Sequence, residues 1–472
     1  MVKLLSGGEN RNVRKVETMG FFKAYDMRGT FGKDFDLDVV YKVGKALPKV
    51  VGGPRWLVGR DCRSTSPLVH DALIAGLKAA GAEVVDLGHS TTPMVYFFTA
   101  QEDFDGSVMI TASHNPPTDN GLKVSRKGAL PVGYESGLAE VEKLVLADTD
   151  PVPAFEPSTE SATTDPQRLA TYVAWLKEHT AACEGLRFAV DCSDGMASIL
   201  AHALFPNAVF LNDTPDGGFP HHSPNPLLAE AREQIAAVVR AQHLDCGVIF
   251  DGDADRCMFV DEAGEFIQPD YLIPVLASTY LPPPTSHLSP LTSIIHDVRT
   301  SRAAIEAIAA MGCRPVIGKV GHAYAKVLLR ETEAVCGGEL AGHYYFRDFC
   351  HCDSGELAAL RILSAFAKAK AAGASVSAFL APINRKYANS GEINFKVEDK
   401  PAAIARVLAA AKDLAPETGR TDIDGYRLEY EKGWISVRQS NTEPYLRLLV
   451  ECETADCLAA WVDVLSAAIR GV

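Results

Sequence analysis

Two short stretches of this chain hold most of its reactive side chains. The first is Thr111-Ala112-Ser113-His114-Asn115-Pro116-Pro117, directly after the apolar run Val108–Ile110. A strand that breaks into small residues and two prolines predicts an exposed, stiff loop on which a ligand can reach a hydroxyl. His114 is placed to orient or neutralise a charged group on Ser113, and Lys123 follows the turn signal Asn120-Gly121. The second stretch is Asp251-Gly252-Asp253-Ala254-Asp255-Arg256, between the apolar runs Gly247–Phe250 and Cys257–Val260. Three carboxylates at alternate positions converge if the loop curls, and they repel one another unless a cation sits among them. Oxygen-only ligation suits Mg2+. Arg256 is positioned to meet a phosphate bound there.

Each stretch has rival readings. The Gly-x-Ser-x-Gly elbow of an acyl-transfer serine is missing, and so is a Gly-x-x-x-x-Gly-Lys-Ser/Thr loop for a nucleoside triphosphate. Counted from Asp251, the carboxylates fall at EF-hand positions 1, 3 and 5, with Glu262 at 12. Position 6 is Arg256 rather than glycine, and the flanks read as strands. Haloacid-type phosphatases also use an aspartate loop, but Ser113 has no task in them.

Three later loops offer ligand-binding groups. Gly318-Lys319-Val320-Gly321-His322 joins a strand to a helix, whose N-terminus can hold an anion. Gly337-Gly338-Glu339-Leu340-Ala341-Gly342-His343 offers a carboxylate for sugar hydroxyls and an imidazole for proton transfer. Arg438-Gln439-Ser440-Asn441-Thr442-Glu443-Pro444 collects a guanidinium, hydroxyls and an amide, donors that suit a phosphate.

The elements that must carry these loops alternate between short apolar strands and amphipathic helices, the rhythm of α/β layers. Strands are predicted over Trp56–Gly59, Val84–Leu87, Phe188–Val190, Ser293–His296 and Pro315–Ile317, and helices over Leu68–Ala80, Ala197–Leu204, Ser301–Met311 and Leu357–Ala371. From about Tyr387 the pattern changes to an α+β unit with strands Ile393–Val397, Trp434–Val437 and Leu446–Glu451 and two helices. Asp148–Asp165 reads as a linker, and Leu281–Pro290 is a Pro-rich break. The expected division is four units, over 1–160, 161–268, 269–384 and 385–472: three similar α/β units and a smaller, different last one.

A chain of 472 residues exceeds one core, and its formal net charge of −14 argues against nucleic-acid or anionic-membrane partners. A polar N-terminus and the absence of a bilayer-long apolar run predict a cytoplasmic protein. The 11 cysteines are scattered. Cys350 and Cys352 flank His351 but have no second ligand pair at a fitting spacing, so they are expected to be free thiols.

Taken in order, the loops resemble those of the α-D-phosphohexomutase superfamily over nearly the whole chain. The serine loop Thr111–Pro116, the metal loop Asp251–Arg256, the sugar loop at Gly338, Glu339 and His343, the phosphate loop Arg438–Pro444 and the opening Phe22–Gly29 all match its motifs. The stretch His343–Phe349 with Cys352–Gly355 is similar to the bacterial phosphomannomutase branch. Ala341 stands where the family usually has serine, which leaves the epimer preference open.

The resemblance implies a heart-shaped four-domain fold, a phosphoryl group carried on Ser113, and one Mg2+ on Asp251, Asp253, Asp255 and a phosphoryl oxygen. It further implies a hexose 1,6-bisphosphate intermediate and a phosphohexose substrate. Glu339 and His322 are expected on the sugar; Tyr25, Arg256, Arg299 and Lys319 at the ligand; Arg438, Ser440, Asn441 and Thr442 on the non-reacting phosphate. Lys123, Arg28 and His343, with His114 beside the serine, are the candidates for proton transfer or charge stabilisation. The activity implied is that of a phosphomannomutase, a phosphoglucomutase or both, in a monomer or homodimer.

Overall fold

The structure is a computed structural model that describes residues 20–155, 163–281, 292–440 and 445–471. The Pro-rich break and the middle of the expected linker therefore lie outside the described residues. Residues 148–155 of that linker have no regular structure, and Asp165 at its end caps the helix Pro166–Glu178 through the Gln167 and Arg168 amides.

Three sheets share one topology. In the first, strand Arg55–Arg60 lies between Glu83–His89 and Gly106–Ile110, parallel to both, and Asp119–Arg126 returns antiparallel beside Gly106–Ile110. The second repeats this with Phe188–Asp191 between Val209–Leu211 and Cys246–Phe250, and Cys257–Asp261 returning. The third uses Ser293–Asp297 between Arg314–Gly318 and Cys336–Gly338, and Tyr344–Phe346 returning. The parallel strands are joined by crossover helices such as Ser66–Ala79, Ala229–Ala241 and Arg302–Ala310. Their strands are buried on both faces, which explains their continuous apolar runs.

The fourth sheet is wholly antiparallel, in the order 388–389, 445–452, 433–439, 426–430, 417–421, with 393–396 also on the 445–452 strand. Helices Lys400–Ala411 and Ala455–Arg470 contribute Val407, Trp461 and Leu465 to its core. Predicted elements and observed ones agree in type, and most ends shift by one or two residues. The helix expected at Leu357 begins at Gly355, because the Ser354 side chain accepts from the Leu357 amide.

Besides apolar clusters of their own, the α/β units share one large core. Phe97 of the first meets Tyr172 and Trp175, on the helix Pro166–Glu178, at 5.3 Å each, and Phe349 of the third at 6.3 Å. Trp175 is 5.5 Å from Phe349. This aromatic seam binds three units into one hydrophobic body. The fourth is tied on by polar contacts: Arg427 donates to the Val298 and Thr300 carbonyls, and the Arg302 amide donates to Glu451.

Candidate active site

The repeated topology puts three functional loops at one place in three sheets, the turn from the last parallel strand into the returning strand. Ser113 lies in the turn after Gly106–Ile110, the three aspartates after Cys246–Phe250, and Glu339 and His343 after Cys336–Gly338. Each turn contains a left-handed residue: Ser113 at φ +51°, Ala254 at +62° and Gly342 at +85°. The first two loops touch, and only a glycine fits at 252, where a Cβ would sit 2.6 Å from the Ser113 carbonyl.

Ser113 was expected on an exposed loop. Only Pro116–Thr118 of that loop are exposed; Ser113 is 1% exposed beneath the second unit. Its Oγ donates to Asp251 Oδ2 at 2.7 Å and lies 3.2 Å from His114 Nδ1. Burial, followed by Arg256 and Arg28, pushes the His114 imidazole well below its usual range, so it is neutral.

The three aspartates are completely buried, and one oxygen from each lies within 4.8 Å of the others. Burial, then Asp253 and Asp255, pushes the Asp251 carboxyl well above the usual carboxylate range. Asp253 is equally buried, yet Lys123 and the Thr92 hydroxyl hold it below that range. Lys123 Nζ bridges Asp253 Oδ2 at 2.6 Å and Asp255 Oδ2 at 2.5 Å, while Thr92 Oγ1 donates to Asp253 at 2.5 Å. Asp253 Oδ1 and Asp255 Oδ1 accept no hydrogen bond despite burial. Buried carboxylate oxygens left bare are a cation's donor set. Glu262, the twelfth position of the EF-hand reading, is turned away and bonds the Ser377 amide and hydroxyl at 3.0 and 2.5 Å.

In the third loop, Glu339 accepts from Tyr345 Oη at 2.5 Å and from the Gly321 amide at 2.7 Å. The Val320 amide is taken by Asp424 of the fourth unit at 3.0 Å. These two amides of the helix N-terminus expected to hold an anion thus already serve protein carboxylates. His343 Nδ1 lies 2.8 Å from Asp353 Oδ2, and its Nε2 faces Arg256 Nε at 2.9 Å. Arginine only donates, so Nε2 accepts and Nδ1 carries the proton toward Asp353. Lys326 Nζ balances Asp353 at 2.8 Å. His322 stacks 6.0 Å from His343, with a buried Nδ1 that has no partner.

The remaining predicted residues ring this centre. Arg28 pairs with Asp26 at 2.6 Å and reaches Asn115 Oδ1 at 3.2 Å. Tyr25 Oη donates to the Val320 carbonyl at 3.0 Å. Arg299 is buried on Asp297 at 2.6 Å, with Glu392 of the fourth unit 3.7 Å away. Arg438 is buried against Asp424 at 3.0 Å, and Lys319 lies on the rim over the Tyr324 ring at 5.2 Å. The Ser440 amide closes onto Tyr445 at 2.9 Å; Asn441 and Thr442 lie outside the described residues. Sequence reasoning missed Arg63, Thr92, Lys326, Tyr345, Asp353 and Asp424. Two of them carried a signal: Tyr345 lies within the His343–Phe349 stretch and Asp353 within Cys352–Gly355.

Four phosphoglucomutase/phosphomannomutase domain families match in order: α/β/α domain I over 19–150, domain II over 168–264, domain III over 268–386 and the C-terminal domain over 392–468. The chain is 37% identical over 461 residues to a Xanthomonas campestris protein named "Phosphohexose mutases", covering 96% of this chain and 100% of that one. It is 34% identical over 442 residues to an Escherichia coli phosphomannomutase, covering 91% and 94%. A crystal structure of a phosphoglucomutase/phosphomannomutase family protein from Burkholderia thailandensis superposes with a TM-score of 0.81 at 31% identity, covering 96% of this chain and 97% of that one. With four domains in order, and a buried serine set against a carboxylate cage able to hold a metal, the chain belongs to the phosphoglucomutase/phosphomannomutase family, the α-D-phosphohexomutases.

Proposed function

We propose that the protein is a phosphomannomutase that interconverts mannose 6-phosphate and mannose 1-phosphate. Ser113 carries the phosphoryl group and a hexose 1,6-bisphosphate is the intermediate. The observation that carries this reading is the 2.7 Å contact of Ser113 Oγ with Asp251 inside the carboxylate cage. This hydroxyl donates into a carboxylate cage able to hold a cation, the arrangement for cycling phosphate. Asp251, Asp253 and Asp255 would hold a Mg2+, which would supply positive charge beside the phosphoryl group.

In the forward half-reaction the bond from phosphorus to Ser113 Oγ breaks and a bond to a sugar hydroxyl oxygen forms. The hydroxyl proton needs an acceptor, and the departing Ser113 Oγ takes up a proton in its place. Arg28 is permanently charged, and Lys123, though buried, is kept charged by Asp253 and Asp255. His343 presents an accepting Nε2 backed by Asp353, so we assign it this proton. Glu339 and His322 orient the sugar hydroxyls, with Tyr25, Arg256, Arg299 and Lys319 around them. Arg438, Ser440, Asn441 and Thr442 grip the phosphate that does not react. After reorientation the bisphosphate returns its other phosphoryl group to Ser113.

Glucose 1-phosphate is the second reading, alone or beside mannose. Two observations favour it: Ala341 supplies no hydroxyl to discriminate an axial from an equatorial group, and the Xanthomonas relative carries the broader name. Coupled assays with mannose 1-phosphate and glucose 1-phosphate, primed by glucose 1,6-bisphosphate, test both. A mannose rate at least tenfold higher supports the first reading, and equal rates the dual one. Release of free phosphate without isomerisation, the behaviour of a phosphatase, overturns both.

A further inference from the structure

The Ser113 loop is shaped by an arginine that none of the loop motifs contains. Arg63 follows the strand Arg55–Arg60, and its side chain is fully buried. Nη1 donates to the carbonyls of Pro116 and Asp119 at 2.6 and 3.0 Å. Nη2 donates to those of Ser113 and Asn115 at 2.8 and 2.7 Å. Four main-chain acceptors of one turn thus converge on a single planar fork. Asp61 anchors the other side of the guanidinium, with Oδ2 3.2 Å from Nε, and Asp61 Oδ1 accepts from the Arg63 amide at 3.0 Å and the Ser66 hydroxyl at 2.5 Å. The second unit seals the arrangement. The Phe219 ring lies 5.0 Å from the guanidinium carbon, and a Cβ on Gly217 would stand 2.4 Å from the Arg63 Cα.

This cluster has a clear effect on Ser113. A non-glycine residue at φ +51° sits in a sparsely populated region and stays there only if its surroundings fix it. The fixing contacts at hand are the Thr111 hydroxyl on the Ser113 amide, at 2.8 Å, and Arg63 on the Ser113 carbonyl. We propose that Arg63 is the positioning residue for the Ser113 nucleophile: by gathering the carbonyls of Ser113, Asn115, Pro116 and Asp119 it holds the backbone left-handed, with Oγ aimed into the carboxylate cage. The proposal rests on reading Ser113 as the phosphoryl carrier. Arg63 itself touches no reacting atom. Its contribution is the placement of Oγ, an orientation effect to which phosphoryl transfer is steeply sensitive. Sugar binding is left to residues in the third and fourth units.

Arg63→Lys keeps the charge and loses the fork. In the full-length, Mg2+-loaded enzyme assayed with mannose 1-phosphate and glucose 1,6-bisphosphate, kcat is expected to fall about 100-fold while KM stays within about threefold. In Arg63→Ala, guanidinium ion at millimolar concentration is expected to restore kcat at least tenfold and ammonium ion is not, a discrimination that general destabilisation does not produce. A folded Arg63→Lys with kcat within about threefold of the parent overturns the proposal, as does a rise in KM at constant kcat. If Arg63→Lys shows no cooperative melting, Phe219→Leu, which loosens the cover and leaves the fork, takes its place. There kcat is expected to fall about fivefold at unchanged KM, and an unchanged kcat overturns the proposal. Ser113→Ala run alongside separates the two layers. If it is inactive while Arg63→Lys is unimpaired, only the positioning role falls; if it is fully active, the phosphoryl-carrier reading falls too.

Discussion

The turn at Ser113 and the turn at Asp251–Arg256 leave corresponding strands of two sheets with the same topology, and both pass through a left-handed residue. They are fixed in different ways. The aspartate turn is held by many small contacts: the Ala254 and Arg256 amides return to the Asp251 carbonyl and Oδ1 at 3.2 Å each, and the distant Thr92, Met196 and Gly355 amides donate to the Asp253, Gly252 and Ala254 carbonyls at 3.0, 3.0 and 3.1 Å. Two of its buried oxygens, Asp253 Oδ1 and Asp255 Oδ1, accept no hydrogen bond. The serine turn leans instead on one side chain. It carries no formal charge except on its way out at Asp119, but four of its carbonyls depend on the distant Arg63. One backbone solution is used twice, once around a carboxylate cage able to hold a cation and once around a hydroxyl that donates into that cage.

That contrast can be broken at either end. The largest effect is expected from Ser113→Ala, which should fold normally and lose activity by about 10^4-fold or more, with no phosphate in its intact mass; near-normal turnover would remove the division of labour altogether. Asp255→Asn should leave Ser113 in place and weaken Mg2+ binding by about 100-fold, read by calorimetric titration, with activity returning at high Mg2+. If Mg2+ affinity is unchanged, the cage assignment is wrong. Arg438→Lys probes a unit outside both turns. It is expected to raise KM about 10- to 100-fold with kcat within about threefold, and a kcat collapse at constant KM would move Arg438 into the transfer step. The smallest effect belongs to Glu262→Gln. Mg2+ affinity should hold within about twofold and stability should drop about 1 kcal/mol from the weakened Ser377 contacts, measured by chemical denaturation. A large loss of metal affinity would instead revive the calcium-loop reading.

Much of this was legible in the sequence wherever the chemistry is local. Gly247–Phe250 and Cys257–Val260 announced two buried strands, and the aspartates between them could only be a turn. Several of the site residues that escaped notice act across long sequence separations. Thr92 reaches Asp253 over 161 positions and Arg63 reaches Ser113 over 50. No local period or motif records such pairs. The equivalence of the three turns was invisible for a related reason: topology is shared through strand order and handedness, which tolerate complete replacement of the side chains. Burial of Ser113 was also out of reach, because the cover comes from the second unit. The amides at Val320 and Gly321 show the opposite error. A helix N-terminus reads as an open anion site, and here Asp424 and Glu339 already take two of its amides.

The aromatic seam of Phe97, Tyr172, Trp175 and Phe349 adds a last consequence. The serine, aspartate and Glu339 turns, mounted on three sheets, are only as well aligned as the joint between their mounts. Alignment tolerance in this protein is therefore set well away from the chemistry, by rings whose job is usually described as stability. A slack joint there would misregister serine, cage and sugar carboxylate together, much as a loose optical bench spoils every lens on it at once.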